Sequence, residues 1–560
     1  MRLRRSSALA LAMTALSGFL SVMSTARAAS PGSADGQRLW SKRMGGSVYS
    51  RALGVATDPS GNVFLAGDSA TPSINLGGSP LSGEGADDIV IAAYSVSGTH
   101  LWSRRLGGPG DDIAWSVASD PSGDVVIAGQ TDSPSIDLGG GPLPAAGGKD
   151  MVVAKYSAEG MHLWSKRLGG TGDDVAWSVA SDPSGNILLA GESARVGDMV
   201  VTKYTASGTH LWSKRIWGGA AYAVASDPLG NVLLAGTSQA YSIDLGGGPL
   251  AGSPDDNYRD MVLGKFTPSG AHIWSKRLGG GSEDIAGSVA SDADGNVLVS
   301  GTSTSRSIDL GGGPHYGDSF DMVFGKFSAS GAHVWSKRYG GTYVDFAASI
   351  ASDPSGNVLV AGASWSDSIN LGGPTYPSAG LYDIVIGMYS PSGAHLWSKR
   401  MGGGSIDEGY SVASDPWGNV LLAGEAGSSS IDLGGGPHDG RSTDMVVVKY
   451  PPDRTPPIST FKPLVGSPPV VSDAGGISLT GTVTDNLTGV ESLTVTYTAP
   501  VSNAQVTVEA SLDCNDSRRS CTFTARGPGS SGVWTATARA TDRAGNLEPR
   551  GQGRTVLAIP

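Results

Sequence analysis

Short apolar runs alternate with polar, glycine-rich punctuation along this chain, and the alternation repeats. One unit begins at Ile113 to Ser119, where small and apolar residues mix, and Asp120-Pro-Ser-Gly-Asp124 interrupts it. Val125 to Gly129 is an apolar run, followed by the polar stretch Ser135-Ile-Asp-Leu-Gly-Gly-Gly-Pro142. Asp150 then opens Met151 to Tyr156, Ser157-Ala-Glu-Gly160 turns the chain, and His162 to Leu168 closes the unit. Apolar runs of this length bounded by turn residues predict strands. Proline presets φ early in the turn, while Gly, Asn and Asp accept positive φ, so hairpins follow. Each unit therefore predicts four antiparallel strands in meander order.

The unit recurs around Trp40, Trp102, Trp164, Trp212, Trp274, Trp335 and Trp397, spaced by 62, 62, 48, 62, 61 and 62 residues. A fixed period of this size predicts a repeat architecture. The array opens on a tryptophan strand (Leu39 to Met44) and closes on a third strand (Asp444 to Tyr450). Complementary fragments at the two ends predict a ring in which the N-terminal strand completes the last sheet and removes an open edge. The fold class expected is all-β: a seven-bladed β-propeller with four-stranded antiparallel blades over residues 37–450. The Lys-Arg pair that ends most tryptophan strands is expected to guard an exposed sheet edge.

The strings Gly-Asp-Asp, Val-Ala-Ser-Asp-Pro-Ser-Gly-Asn-Val-Leu-Leu-Ala-Gly, Asp-Met-Val-Val-x-Lys-Tyr-Ser-x-Ser-Gly and Leu-Trp-Ser resemble the bacterial propeller repeat family labelled SBBP. That resemblance spans about residues 37 to 450 and implies the propeller fold; it implies no catalytic motif. Two units depart from it. The fourth has Trp217-Gly-Gly-Ala-Ala221 in place of the acidic turn, and the third lacks the Ser-Ile-Asp-Leu-Gly-Gly-Gly-Pro insert, passing from Glu192 to Asp198.

Past the array, Pro451-Pro-Asp-Arg-Thr-Pro-Pro457 reads as a stiff linker. Alternating runs between Ile477 and Ile559 predict a β-sandwich over 458–560. Thr484 to Val490 and Ala540 to Asn546 resemble segments of bacterial immunoglobulin-like domains, which implies a spacer or adhesive module. At the other end, Arg2, Arg4 and Arg5, the apolar Ala8 to Met23 and Ala26-Arg27-Ala28 predict a signal peptide over 1–28. Its removal takes the formal charge from −12 to −16. An acidic exported chain lacks the basic face that nucleic acid needs, and no later apolar run is long enough to span a membrane. The expected address is periplasmic, cell-surface or extracellular, for a monomer. Cys514 and Cys521, the two cysteines of the chain, are expected to pair in that oxidising compartment.

Candidate chemistry concentrates on one side of the ring. Chain order puts the short Asp-Pro-Ser-Gly-Asn and Ser-x-Ser-Gly turns on one face and the long, variable connections on the other. The long connections carry Asp111-Asp112, Asp173-Asp174, Glu283-Asp284 and Asp407-Glu408, the ligand-binding residues expected here. Function usually lives on long loops held by a rigid scaffold. Calcium is the one cofactor these oxygen ligands suggest, although Asx turn chemistry explains the same residues, and no cofactor is the expectation. The seven strand-opening aspartates (Asp88, Asp150, Asp198, Asp260, Asp321, Asp383, Asp444) are expected to accept local backbone N–H bonds. His100, His162, His210, His272, His333 and His395, one per blade, lie too far apart to share an ion and are expected to pack. The tryptophans are expected to join blade to blade. No G-x-S-x-G, H-E-x-x-H or phosphate-loop motif occurs. These features favour an exported, non-enzymatic binding or scaffold protein for a protein or glycan ligand. The alternatives are a multivalent lectin with sites between blades and, behind it, a polysaccharide hydrolase or lyase.

Overall fold

The computed structural model describes residues 38–193, 197–252 and 258–452, and beyond them the segments 458–461, 478–484, 490–498, 505–514, 520–526, 532–542 and 554–559. The expected signal segment 1–28 and residues 453–457 of the expected linker lie outside the described residues.

Seven four-stranded antiparallel sheets form a β-propeller. Blade 2 shows the pattern, with strands Asp112–Ser119, Val125–Thr131, Asp150–Tyr156 and His162–Leu168 paired in chain order. Blade 7 takes Asp407–Ser414, Val420–Ala426 and Asp444–Tyr450 from the end of the array and Trp40–Met44 from its start. In that last pairing Trp40 lies opposite Lys449 and Met44 opposite Met445. The first strand of each blade packs on the next, and Ser50–Thr57 of blade 1 packs on Asp407–Ser414, so the ring is closed.

Serines on the first strands stitch neighbouring blades together. The hydroxyls of Ser116, Ser178, Ser288, Ser349 and Ser411 accept hydrogen bonds of 3.1–3.2 Å from the amides of Val179, Val224, Ile350, Val412 and Val55. Gly54 and Ala223 occupy the equivalent positions in blades 1 and 4 and have no hydroxyl to offer.

Two sets of ion pairs hold the sheets, one found in all seven blades and the other in five. The last residue of every Trp-Ser-Lys/Arg-Arg string reaches back to the aspartate that opens the neighbouring third strand. Arg105 meets Asp88 at 2.8 Å, Arg167 meets Asp150 at 2.7 Å, and the same contact joins Arg43–Asp444, Arg215–Asp198, Arg277–Asp260, Arg338–Asp321 and Arg400–Asp383. These arginines also donate to loop carbonyls, as Arg105 does to Thr71 and Ser69. Local N–H bonds do reach some of these aspartates, from Glu84 to Asp88, Ala146 to Asp150 and Ala379 to Asp383. Near the opposite end of the third strand, Lys155, Lys203, Lys265, Lys326 and Lys449 pair with Asp120, Asp182, Asp227, Asp292 and Asp415 of the first hairpin turn at 2.7–2.9 Å.

These contacts correct the edge-guarding reading of the Lys-Arg pair. The arginine is used inside its own sheet, and the lysine before it lies over an aromatic ring, as Lys166 does over Tyr204 and Lys276 over Phe327. A charge on an outer strand is solvated only if nothing covers it, and here the neighbouring blade does. The tryptophans act likewise. The indole Nε1 groups of Trp40, Trp102, Trp164, Trp212, Trp274 and Trp335 donate to Val96, Ala158, Ala206, Pro268, Ala329 and Pro391 in the turn of the following blade. The ring face meets a glycine of that turn; a Cβ on Gly160, at φ +84°, would fall 2.6 Å from Trp102. The histidines pack edge-on against third-strand aromatics, His162 on Tyr156 at 5.9 Å, and His100, His162, His272, His333 and His395 bond a serine three residues on.

The glycine-rich insert, read from sequence as a polar connection, is a small hairpin of its own in six blades. In blade 2 it pairs Ser135–Asp137 with Pro142–Pro144. Its Ile136 and Leu138 are fully buried, and Asp137 Oδ1 accepts the amides of Gly139 and Gly141. Burying two such side chains contributes roughly 1.5–3 kcal/mol each.

The segments beyond the ring form two four-stranded antiparallel sheets, with Ser478–Thr484 and Val490–Thr498 each central in one. Cys514 stands opposite Cys521 in the ladder, and Cys521 is disulfide-bonded.

Candidate functional site

The first strands begin at the mouth of the ring, on the face of the long connections. Asp112, Asp174, Asp284 and Asp407 occupy this first position and are buried. Each accepts a hydrogen bond from the glycine amide four residues earlier, as Asp112 does from Gly108 at 2.7 Å. Ser133, Ser305 and Ser428, just past the second strands, donate hydroxyls to Asp112, Asp284 and Asp407. These aspartates cap the blade-to-blade turn, and their burial takes them off the loop surface. It also pushes the carboxyls of Asp112 and Asp407 up, and that of Asp284 to about 6. Asp111, Asp173 and Glu283 remain on the rim, each at least partly exposed. Burial raises Asp111, with the charges of Asp132 and Asp87 adding to it. Glu283 lies 4.0 Å from Arg259. Among the described residues no group of three His, Cys, Asp or Glu is arranged to hold a metal ion.

Where every blade repeats the scaffold, the positions that differ between blades carry individuality. The second residue of the first strand is Arg51, Ile113, Val175, Ala220, Ile285, Phe346 or Glu408. Its cross-strand partner is Asp68, Gln130, Glu192, Thr237, Thr302, Ala363 or Glu425. A bulge in every first strand adds a third variable residue, successively Leu53, Trp115, Trp177, Tyr222, Gly287, Ala348 and Tyr410. A bulge re-aims a side chain. Trp115, Trp177 and Tyr222 meet in succession, with ring centroids 4.9 and 6.0 Å apart.

Charge gathers at the seam between blades 7 and 1. Arg51 forks onto Asp68 with bonds of 2.8 and 3.1 Å. Glu408 and Glu425 face each other in register, and the Tyr410 hydroxyl donates to Glu408 at 2.7 Å. Tyr49 donates a short bond to Asp87. Three buried carboxylates thus share one guanidinium. Burial drives both glutamates well above the usual carboxylate range, the charge of Glu408 pushes Glu425 further, and Arg51 offsets part of this.

An aromatic cluster stands beside that seam on blade 6. Tyr343 contacts Trp365 at 5.4 Å, Trp365 contacts Tyr382 at 5.6 Å, and Tyr382 contacts Phe346 at 6.1 Å. Tyr343 is 46% exposed. The Tyr382 hydroxyl is pushed up to about 12, first by burial and then by the charge of Glu408, so the cluster and the acidic seam are neighbours. Of the residues expected from sequence, this region includes Glu408. Arg51, Asp68, Glu425, Tyr343, Trp365 and Tyr382 were not anticipated. The signal was present as departure from the repeat: Trp365 stands where other blades have Ala70, Asp132, Gln239, Thr304 and Gly427.

The acid surplus has a pH signature. Asp284, Glu408 and Glu425 have folded pKa values above their unfolded ones. The stability they confer is complete below the unfolded value and is lost as pH rises through the folded one. Scanning calorimetry is expected to show melting temperature falling between roughly pH 5 and pH 8. Glu425→Gln is expected to flatten that fall and to stabilise the chain at pH 8 by about 1–3 kcal/mol.

Residues 334–370 match the family model described as a beta-propeller repeat, SBBP. The chain is 21% identical over 515 residues to an uncharacterized WD repeat-containing protein of Acanthamoeba polyphaga mimivirus, covering 72% of this chain and 37% of that protein. It is 28% identical over 173 residues to the regulatory protein FlaEY of Caulobacter vibrioides, covering 30% of this chain and 18% of that one. The chain thus spans well under half the length of these curated relatives. Among solved structures it resembles a puromycin hydrolase mutant, with TM-score 0.28, 11% identity and coverage of 68% of this chain and 59% of the other. A bacterial ice-binding adhesin gives TM-score 0.14 at 13% identity, covering 65% and 91% of the two chains. Neither structural likeness bears on function. No helix among the described residues is long and apolar enough to cross a membrane.

Proposed function

We infer that this chain is an exported, non-enzymatic binding platform that takes a protein or glycan ligand at the rim of blades 6, 7 and 1. One observation carries the reading: the Tyr343, Trp365, Tyr382 and Phe346 rings adjoin, through the Asp407 amide bond to Tyr382 O at 2.8 Å, a seam where three buried carboxylates share one guanidinium. Aromatic faces stack on sugar rings and attract cations, and nearby carboxylates strengthen the second effect. A ligand bearing a positive group, such as an amino sugar or a basic peptide segment, suits both. The sheets beyond the ring, read as an immunoglobulin-like module, would serve as a spacer or adhesive element. A lectin with one site per blade has less support, because the repeated tryptophans are already tied to the following blade.

A polysaccharide hydrolase or lyase is the second reading, favoured by the raised Glu408–Glu425 pair, since perturbed carboxylates suit acid–base work. Both groups are buried, which favours binding over turnover. The test is an array of neutral, acidic and amino glycans together with basic peptides. Trp365→Ala and Tyr343→Ala are each expected to weaken the best ligand at least 10-fold with little change in melting temperature. Unchanged binding in both variants would refute the site, and turnover abolished by Glu408→Gln would establish the enzyme reading.

A further inference from the structure

Blade 3 differs from the other six where its second and third strands connect. In those six, an Ile-x-Leu pair from the small hairpin is buried in the blade: Ile74/Leu76, Ile136/Leu138, Ile243/Leu245, Ile308/Leu310, Ile369/Leu371 and Ile431/Leu433. The backbone of the insert also accepts donors from the sheet. Tyr156 donates its hydroxyl to Leu138 O at 2.8 Å, and Arg167 Nη1 donates to Ser133 O at 2.8 Å and Leu143 O at 3.3 Å. Tyr94, Tyr389 and Tyr450 make the tyrosine contact in their own blades.

Blade 3 keeps the receiving residues, but its second strand ends at Ser193 and its third begins at Asp198, a connection too short for such a hairpin. A cleft of about 580 Å³ opens there between blades 2 and 3, with Leu168, Leu189 and Val200 among its apolar walls. Tyr204, His210 and Arg215 line it as well. The Tyr204 hydroxyl and the Nη groups of Arg215 have no hydrogen-bond partner among the described residues. The Nε of Arg215 still holds Asp198 at 2.6 Å. Its side chain is 46% exposed, against 3% for Arg167 at the same position in blade 2. The outward-facing Trp217 ring lies 5.6 Å from the guanidinium.

We propose that this cleft is an acceptor site for a peptide segment of a partner protein carrying two aliphatic side chains two residues apart in a tight turn. Six in-chain examples define what fits. The aliphatic pair fills the apolar floor, while backbone carbonyls take the hydroxyl of Tyr204 and the outer guanidinium nitrogens of Arg215. Guanidinium donors are spaced to meet two oxygens at once, and recognition by a preformed scaffold limits the ordering cost to the peptide.

The probe is a fluorescent peptide with the sequence of residues 132–145, titrated into the full chain and followed by anisotropy. Saturable binding is expected, at least 10-fold tighter than for the same peptide carrying Ile136→Ser and Leu138→Ser. Arg215→Ala in the protein is expected to weaken it at least 5-fold. A second protein variant guards against misfolding: the Ser193-to-Asp198 connection is replaced by the Thr131-to-Asp150 one. That graft supplies the hairpin in cis, so it is expected to abolish binding and to raise the melting temperature. Equal binding of the two peptides, no binding at all, or binding undiminished by the graft would overturn the proposal.

Discussion

Deleting residues 38–46 is expected to yield a chain that aggregates and melts well below the intact protein. Trp40–Met44 pairs with Met445 to Lys449 of the last third strand, and its loss bares a row of N–H and C=O groups that invites pairing with other chains. The strand also supplies Arg43, which meets Asp444 at 2.8 Å and donates to the carbonyls of His438, Ala426 and Ser442. Without it Asp444 becomes a buried carboxylate with no cation, an imbalance that costs about 3–5 kcal/mol before the exposed edge is counted. The Trp40 bond to Val96, which ties blade 7 to blade 1, goes as well. Calorimetry with light scattering measures both effects. An unaltered melting profile with no scattering would show that the ring does not depend on this strand.

The second large effect is expected from Lys265→Met. Lys265 Nζ lies 2.9 Å from Asp227 and also donates to Gly295 O and Ala329 O, and both members of the pair are buried. Burial alone would push Asp227 up, but hydrogen bonds from Asn231 and Lys265 outweigh it and hold the carboxyl below its usual range. Removing the cation strands the carboxylate, and the expected loss is about 3–5 kcal/mol at pH 7. In the wild type a depressed pKa confers stability above the unfolded value that is lost as pH falls through the folded one. In the variant the penalty vanishes once the aspartate is protonated. The deficit is therefore expected to shrink as pH falls toward 4, which urea titrations at pH 4 and pH 7 measure. Blade 6 is a natural counterpart. It holds Met388 in the lysine position, and burial there raises Asp353 against its hydrogen bonds from Asn357 and the turn amides.

The ring was legible in the sequence because its period and its complementary end fragments leave few ways to close a sheet. What holds the ring was less legible. Arg167 and Asp150 lie 17 residues apart and Lys155 and Asp120 lie 35 apart, so neither pair shows a local pattern. A cation recurring on a last strand looks solvated until the covering blade is known. The insert around Ile136 read as polar because glycines dominate it, yet two aliphatic residues suffice to anchor a hairpin. Acidic pairs on long connections drew attention to that face, but Asp112, Asp174, Asp284 and Asp407 cap its blade-to-blade turns and serve the scaffold. The residues that set one blade apart, Arg51, Trp365 and Glu425 among them, stand out once the units are aligned position by position.

Hydrogen–deuterium exchange of the full chain, with and without its best ligand from the glycan and peptide array, tests the central claim most directly. Binding at the rim of blades 6, 7 and 1 predicts slowed exchange in residues 340–346, 364–367 and 379–384, with the turns of the opposite face unchanged. Protection confined to the Ser-x-Ser-Gly turns of that opposite face, with those three segments exchanging as before, would contradict it.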